Sequence, residues 1–313
     1  MIIRIISNFI ITVLMMSSTT LFAQNLYSKS YGKVDDPPLL YVHGGPRGNS
    51  TLFEGTTAEK LANCGFHVIV YDRRGEGRSV DENATLTFRE AFDDLHSIIE
   101  HYDLKKVNII GHSFGGIVST LFTEAFPDKV DNLILVGALF SQQETYDHIL
   151  DSCAILSNRH NDKDMRDKIL ATRSLDTLSA EYRKQCYDIA AKFGFFKMPN
   201  STISSTEIKS NYEHGVFAKD NIRNDNAPLL FYKNESQVNI DTKSNLRNIK
   251  AAGVKLAGIY GWQDNIFSGK QKSDIKNLIG EDRCLFIDNC SHYPFVDQQE
   301  LFIEYLSKLV RSE

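Results

Sequence analysis

The sequence has few cysteines and no long block of charge of one sign. Its 313 residues include five cysteines, none in a Cys-x-x-Cys pair, so a metal or redox site of that spacing is not predicted. The net charge of -5 at pH 7 comes without a basic cluster, which argues against nucleic acid as a partner. P-loop and His-Glu-x-x-His motifs are absent, and the Gly-x-Gly at 75–77 lacks the third glycine of a dinucleotide site. We therefore expect no cofactor and no metal.

Disulfide bonds have little support in the cysteine pattern. Because five is an odd number, at least one thiol is expected to stay free or to pair between chains. Cys284 and Cys290 bracket a predicted strand, where their Cα atoms would lie roughly 20 Å apart, beyond disulfide reach. Cys153 with Cys186 is the one pairing within the chain that we consider.

The first residues are typical of a secretory signal peptide. Arg4 precedes an apolar stretch that ends in small and polar residues near Ala23. An uncleaved anchor is the alternative, but Asn8 and Thr12 interrupt the run, which is short for a membrane span of about 20 apolar residues. We therefore expect residues 1–23 to be a leader, the protein to be exported to the periplasm or secreted, and no stable membrane insertion after the leader is removed.

After the leader, short apolar runs alternate with helical patterns, which predicts a mostly parallel sheet flanked by helices. A hydrophobic content of 42% is enough for one large core. The predicted helices span residues 54–64, 88–102, 114–126, 268–279 and 295–309. The predicted strands span residues 38–44, 67–72, 106–112, 130–138, 254–262 and 283–289, with one more possible at 25–32.

The alternation breaks once, from residue 141 to about residue 252. This stretch is richer in charge, Asn and Ser, with helical patterns at 143–156 and 179–193. We predict a core of residues 24–140 and 253–313, and a helical cap at 141–252 inserted at the carboxyl edge of the sheet, where it would cover a ligand crevice. A separate domain with its own role is the alternative.

The run GHSFG at residues 111–115 lies where a predicted strand gives way to a predicted helix. A serine becomes a nucleophile when a sharp turn exposes it to a neighbouring base. Gly111 and Gly115 relieve the crowding of such a turn, and the amide of Phe114 at the helix start can donate to an oxyanion. Ser113 is the predicted nucleophile and Phe114 one predicted oxyanion donor.

A base and an acid follow in the order that this architecture requires, Ser, then Asp or Glu, then His. His292 is the one histidine beyond the predicted cap, and it follows the last predicted strand, so it is the predicted general base. Asp264 follows a predicted strand directly and would fix the tautomer of His292. Glu144 is the runner-up acid, and Asp288 is a weaker choice.

The run HGGPRG at residues 43–48 follows an apolar strand. Two consecutive glycines allow the backbone to turn an N–H toward the serine, and Gly45 is the predicted second oxyanion donor. An ordinary Gly-Pro turn is the alternative.

Together these motifs resemble those of α/β-hydrolases and, more narrowly, of the proline iminopeptidase group of serine peptidases. The matching runs are HGGPRG, YDRRGEGRS at 71–79 and GHSFGG at 111–116. The resemblance implies an α/β-hydrolase fold with a helical cap and an aminopeptidase that acts through an acyl-enzyme on a short peptide with a small or proline N-terminal residue. A carboxylesterase or small-amide hydrolase is the alternative, followed by a non-catalytic binding protein of the same fold. The oligomeric state is not predicted.

The sequence departs from that family in its charges. Arg47 replaces a glycine expected after HGGP, and Arg73 stands where glutamine is common, so we expect extra positive charge at the mouth of the site. In the family, cap glutamates bind the substrate's free amino group. The corresponding candidates, each of which could instead lie on a solvated helix face, are Glu181, Glu207, Glu213 and Glu235.

Overall fold

A seven-stranded sheet forms the centre of the computed structural model, which describes residues 26–311. The strand order is β1-β3-β2-β4-β5-β6-β7, with β1 antiparallel to β3 and all other neighbours parallel. The mostly parallel sheet predicted from the sequence is confirmed. The strands are β1 (Ser28–Tyr31), β2 (Pro38–Val42), β3 (His67–Tyr71), β4 (Val107–His112), β5 (Val130–Val136), β6 (Lys255–Gly261) and β7 (Cys284–Ile287).

Helices cover both faces of the sheet, because alternate residues of each strand point to opposite sides. Leu40 and Val42 of β2 pack in one core with the helices at residues 88–101, 114–125, 243–251 and 269–279. Leu39 and Tyr41 pack in a second core with the helices at residues 51–53, 59–63, 294–297 and 299–311. The bounds of the helices outside the 141–252 segment are α1 (Thr51–Phe53), α2 (Glu59–Asn63), α3 (Phe88–His101), α4 (Phe114–Ala125), α12 (Gly269–Ile279), α13 (Pro294–Asp297) and α14 (Gln299–Arg311). One π-helical turn, Glu54–Ala58, joins α1 to α2.

The segment between β5 and β6, all of it described, is helical. We call residues 141–252 the cap segment; its division from the core stays a prediction. A single bridge, between Ser141 and Asp241, joins its two ends. Its helices are α5 (Gln142–Arg159), α6 (Lys163–Arg173), α7 (Ala180–Lys192), α8 (Ile203–His214), α9 (Val216–Lys219), α10 (Ala227–Asn234) and α11 (Lys243–Ala251).

Two expectations from the sequence are corrected by the structure. The single helix predicted at 295–309 is two helices, because Gln298 leaves the helical region with φ -136° and ψ 57° and its side chain donates to the carbonyl of Asn289. The pairing of Cys153 with Cys186 is not formed: both are buried free thiols, and burial raises the pKa of each to about 12.

The predicted leader, residues 1–23, lies outside the described residues. From residue 26 to residue 311, no helix combines the length and the hydropathy that crossing a membrane requires.

Candidate active site

Ser113 occupies the sharp turn between β4 and α4. Its φ of 53° and ψ of -124° are a backbone conformation that costs a residue with a side chain about 1–3 kcal/mol. The glycines around it leave the necessary room: a Cβ on Gly115 would lie 2.2 Å from the carbonyl oxygen of Val42, and one on Gly116 would lie 2.3 Å from Cβ of Ala138. The turn is therefore held in a strained form by tight packing on both sides.

His292 and Asp264 meet although 28 residues separate them. Asp264 follows β6 and His292 follows β7, two neighbouring parallel strands whose carboxyl ends lie side by side. Nδ1 of His292 donates a hydrogen bond of 2.8 Å to Oδ2 of Asp264. Both side chains are buried, and Oδ1 of Asp264 has no hydrogen-bond partner among the described residues.

The other two candidate acids lie elsewhere in the fold. Glu144, on the first turn of α5, accepts hydrogen bonds of 2.8 and 2.9 Å from Lys243. Asp288 accepts one of 2.8 Å from the side chain of Gln263. Among the three carboxylates considered from the sequence, Asp264 is the one that contacts His292.

Ser113 and His292 line one cavity of about 490 Å³, together with Gly44 and Gly45 of the loop at residues 43–48, which we call the oxyanion loop after its predicted role. Gly44 is packed against the serine, since a Cβ there would lie 3.1 Å from Cβ of Ser113. The N–H groups of Gly45 and Phe114 donate no hydrogen bond to any described residue. Two free amide donors thus accompany the serine and the histidine.

The segment YDRRGEGRS holds the chain that follows this loop through buried charges. Asp72 accepts a hydrogen bond of 2.8 Å from the amide of Ser50 and pairs with Arg78 at 2.7 Å. Arg78 also pairs with Glu54 at 2.7 Å, and the hydroxyl of Ser79 donates to the carbonyl of Asp72. This motif is a structural scaffold.

Arg73 is part of that scaffold and not of the cavity mouth, which corrects one expectation from the sequence. Arg73 is 4% exposed, and its guanidinium pairs with Glu76 at 2.8 Å and donates to the carbonyls of His43 at 2.5 Å and Gly44 at 3.0 Å. Glu76 in turn accepts from the amides of Arg47 and Gly48. The pair fixes both ends of the oxyanion loop.

Replacing Arg73 with leucine is expected to lower the free energy of unfolding by about 3 kcal/mol, because the buried carboxylate of Glu76 would lose its countercharge. Chemical denaturation measures the effect. Arg89→Leu, which removes an exposed arginine paired with Asp93, should change stability by less than about 0.5 kcal/mol. In the double variant with Glu76→Leu most of the loss should be recovered; a double variant as unstable as Arg73→Leu would contradict this account.

Two buried histidines flank the serine and are neutral. Burial, followed by the charge of Arg73, lowers the pKa of His43 to about 4, and burial, followed by the neighbouring His292, lowers that of His112 to about 3. In His43, Nδ1 donates to the carbonyl of Gly44 at 2.7 Å while Nε2 accepts from the amide of Arg73 at 3.0 Å. A second proton on His43, at Nε2, would therefore point at the N–H of Arg73, which is itself a donor.

The free energy of unfolding is expected to fall as the pH drops from about 6.5 toward 4. In this range His43 binds a proton in the unfolded chain but not in the folded protein, where its pKa is about 4. Such a group adds up to about 1.4 kcal/mol per pH unit to the slope. Denaturation at pH 7, 6 and 5 measures it. His43→Gln should flatten the slope and the exposed cap residue His160→Gln should not; equal slopes in all three proteins would refute the assignment.

The charges that line the cavity differ from those expected. None of Glu181, Glu207, Glu213 and Glu235 lines it, and Glu235 instead accepts a hydrogen bond of 2.9 Å from the amide of Phe88. Sequence reasoning placed Arg47 at the mouth but missed two further arginines and one aspartate. The charged residues that line the cavity are Arg47, Arg183, Arg223 and Asp188.

Comparison with known proteins agrees with the fold. A family model described as the alpha/beta hydrolase fold matches residues 37–299. The chain therefore belongs to the α/β-hydrolase family, and its resemblance to proline iminopeptidases is shown by relatives of that name.

Two of these relatives match parts of the chain. A proline iminopeptidase of Arabidopsis thaliana is 25% identical over 51% of this chain and 42% of its own length. One of Lactobacillus helveticus is 32% identical over 34% of this chain and 37% of its own length. The chain thus spans less than half the length of these curated relatives.

Among solved structures, an esterase of Exiguobacterium antarcticum superposes with a TM-score of 0.62 at 19% identity, covering 92% of this chain and 96% of its own. At that identity the likeness shows the fold alone. The fold and the family model together define a member of the α/β-hydrolase family.

Proposed function

We propose that the protein is a serine hydrolase that works through an acyl-enzyme. The observation that carries the proposal is the strained Ser113 in the same cavity as His292, whose imidazole is held by Asp264. A strained serine that shares a cavity with an oriented histidine is typical of a serine hydrolase, and it favours an enzyme over a non-catalytic binding protein.

In this mechanism Ser113 attacks a carbonyl carbon while Nε2 of His292 takes the hydroxyl proton. Asp264 keeps the second proton of the imidazole on Nδ1 and stabilises the imidazolium. The amides of Gly45 and Phe114 hold the oxyanion of the tetrahedral intermediate. His292 then protonates the leaving group, and a water molecule repeats the cycle to release the acid.

For the substrate, we favour an ester or a small amide. Asp188 is the single acidic side chain that lines the cavity within the described structure, and it already pairs with Lys184 at 2.8 Å, so a free substrate amine has no unpaired carboxylate to bind. This reverses the order expected from the family resemblance. An aminopeptidase of proline iminopeptidase type is the second candidate, supported by the names of the relatives above.

The test compares three dye substrates: proline 4-nitroanilide, its N-acetyl derivative and a 4-nitrophenyl alkanoate. We expect the ester to be hydrolysed and the amides to be poor substrates. Cleavage of the free amine but not of the acetylated one would support the aminopeptidase instead. The Ser113→Ala variant supplies the background for each.

Export is proposed on the pattern of residues 1–23 alone. Expression of the full chain, followed by fractionation and N-terminal sequencing, tests it. A mature protein that begins near residue 24 outside the cytoplasm is the expected result; an intact N-terminus in the cytoplasm would contradict it.

A further inference from the structure

Two arginines in the cavity have no carboxylate partner among the described residues. Of the charged lining residues, Asp188 pairs with Lys184, and Arg47 pairs with Asp225 at 2.5 Å. The remaining two, Arg183 and Arg223, form no ion pair with any described side chain. The cavity that contains the serine thus has an excess of unpaired positive charge.

Arg183 lies beside the oxyanion loop. It shares one face of α7 with Tyr187 and Ala191, spaced four residues apart, and all three line the cavity. One nitrogen, Nη2, donates to the carbonyl of Gly45 at 2.7 Å, and the guanidinium lies 5.0 Å from the centre of the Tyr187 ring. Because a guanidinium has five N–H donors, most of them remain for a ligand, and a carboxylate fits them best.

Arg223 belongs to a different part of the chain, the loop between α9 and α10, and is exposed to the same cavity. Hydrogen bonds connect this loop to Asn49, the residue directly after the oxyanion loop: the side chain of Asn49 donates to Oδ1 of Asn221 at 3.0 Å and to the carbonyl of Ile222 at 2.7 Å. The backbone around Arg223 is therefore held at the cavity, while its side chain forms no ion pair with a described carboxylate.

Arg47 provides a second contact between the oxyanion loop and the loop that contains Arg223. Its φ of 98° lies in the region that favours glycine, where the family resemblance also predicts glycine. An arginine is an unfavourable choice for the backbone here, and its ion pair with Asp225 holds the Arg223 loop against the oxyanion loop. The strained position indicates that the side chain has a use at the site.

We propose that the substrate carries a carboxylate, bound by Arg183 and Arg223, in addition to the ester or amide that Ser113 attacks. This deepens the proposed function and rests on it. The carboxylate takes no part in bond making or breaking; it fixes the position of the scissile carbonyl. The same two cations disfavour a substrate with a free ammonium group.

The test compares 4-nitrophenyl valerate with the mono-4-nitrophenyl ester of glutaric acid, which has the same chain length and ends in a carboxylate. We expect kcat/KM to be at least about tenfold higher for the glutarate ester. Arg223→Gln should remove this preference by lowering kcat/KM for the glutarate ester about tenfold relative to kcat/KM for the valerate ester. Arg89→Gln, on the exposed side of α3, is the control that should keep the preference, and rates are corrected with Ser113→Ala for spontaneous hydrolysis.

Equal rates for the two esters, unchanged by Arg223→Gln, would overturn the carboxylate proposal and leave the serine hydrolase intact. Failure of every substrate to show turnover that depends on Ser113 would count against the proposed function. Anion binding is then measured separately, by titrating glutarate into Ser113→Ala and into the same variant with Arg223→Gln. Weaker binding in the double variant supports the carboxylate site, whereas equal binding or none overturns it.

Discussion

Replacement of Ser113 by alanine is expected to lower kcat about 10⁶-fold, to the rate that the cavity and oxyanion donors alone support. The hydroxyl makes no hydrogen bond to another described residue, so its removal should leave the free energy of unfolding nearly unchanged. Hydrolysis of the 4-nitrophenyl esters and chemical denaturation of the same preparation measure the two effects.

Glycine at the same position separates catalysis from strain. Ser113→Gly should be as inactive as the alanine variant but more stable than it by about 1 kcal/mol, because glycine accepts a φ of 53° without steric cost. A matched control is Ser97→Ala on α3, whose hydroxyl donates to the carbonyl of Asp93 and which should keep full activity. Substantial turnover in Ser113→Gly would show that another residue is the nucleophile.

The strands of the sheet could be predicted because they are buried on both faces. In β4 all six residues from Val107 to His112 are buried, so the apolar run stands out from its surroundings. The edge strand β1 has the sequence SKSY and half-exposed residues, so its signal was weak and only its approximate place could be given. The break at Gln298 could not be predicted, since it depends on a hydrogen bond to Asn289 on a different element.

The candidate site was predictable where local sequence determines the backbone. The glycines around Ser113 and in the oxyanion loop are needed by turns a few residues long, so their pattern is visible in the chain. The arginines of the cap segment are different. Arg183 contacts Gly45 across 138 positions, and only the fold brings them together. The one sequence pattern that Arg183 belongs to is its spacing of four residues from Tyr187 and then Ala191. This spacing is common to most helices and indicates no particular ligand.

Arg73 shows that the direction of a side chain cannot be predicted from the sequence even where the residue itself stands out. The sequence shows an arginine where glutamine is common but not which way it points. Because Glu76 lies three residues away and the carbonyls of His43 and Gly44 come from a neighbouring strand end, the guanidinium turns inward. A charge expected at the mouth of the site is therefore part of its support.

Replacement of Asp264 by asparagine should have the second-largest effect on activity. Its Oδ2 accepts the Nδ1 proton of His292, which leaves Nε2 free to take the proton of the serine. An asparagine amide can donate to Nδ1 instead, which favours the tautomer that cannot act as a base. We expect kcat to fall about 10⁴-fold at neutral pH.

The stability of this variant gives an independent measurement. Asp264 is fully buried and its Oδ1 has no hydrogen-bond partner among the described residues, so its charge opposes folding. Asparagine removes the charge, and the free energy of unfolding should stay equal or rise while activity is lost. Glu144→Gln and Asp288→Asn are the matched controls, since both carboxylates contact side chains other than His292 and both variants should stay active. Loss of activity in Glu144→Gln but not in Asp264→Asn would show that Asp264 is not the acid. The orientation of His292 on which the mechanism depends would then be wrong as well.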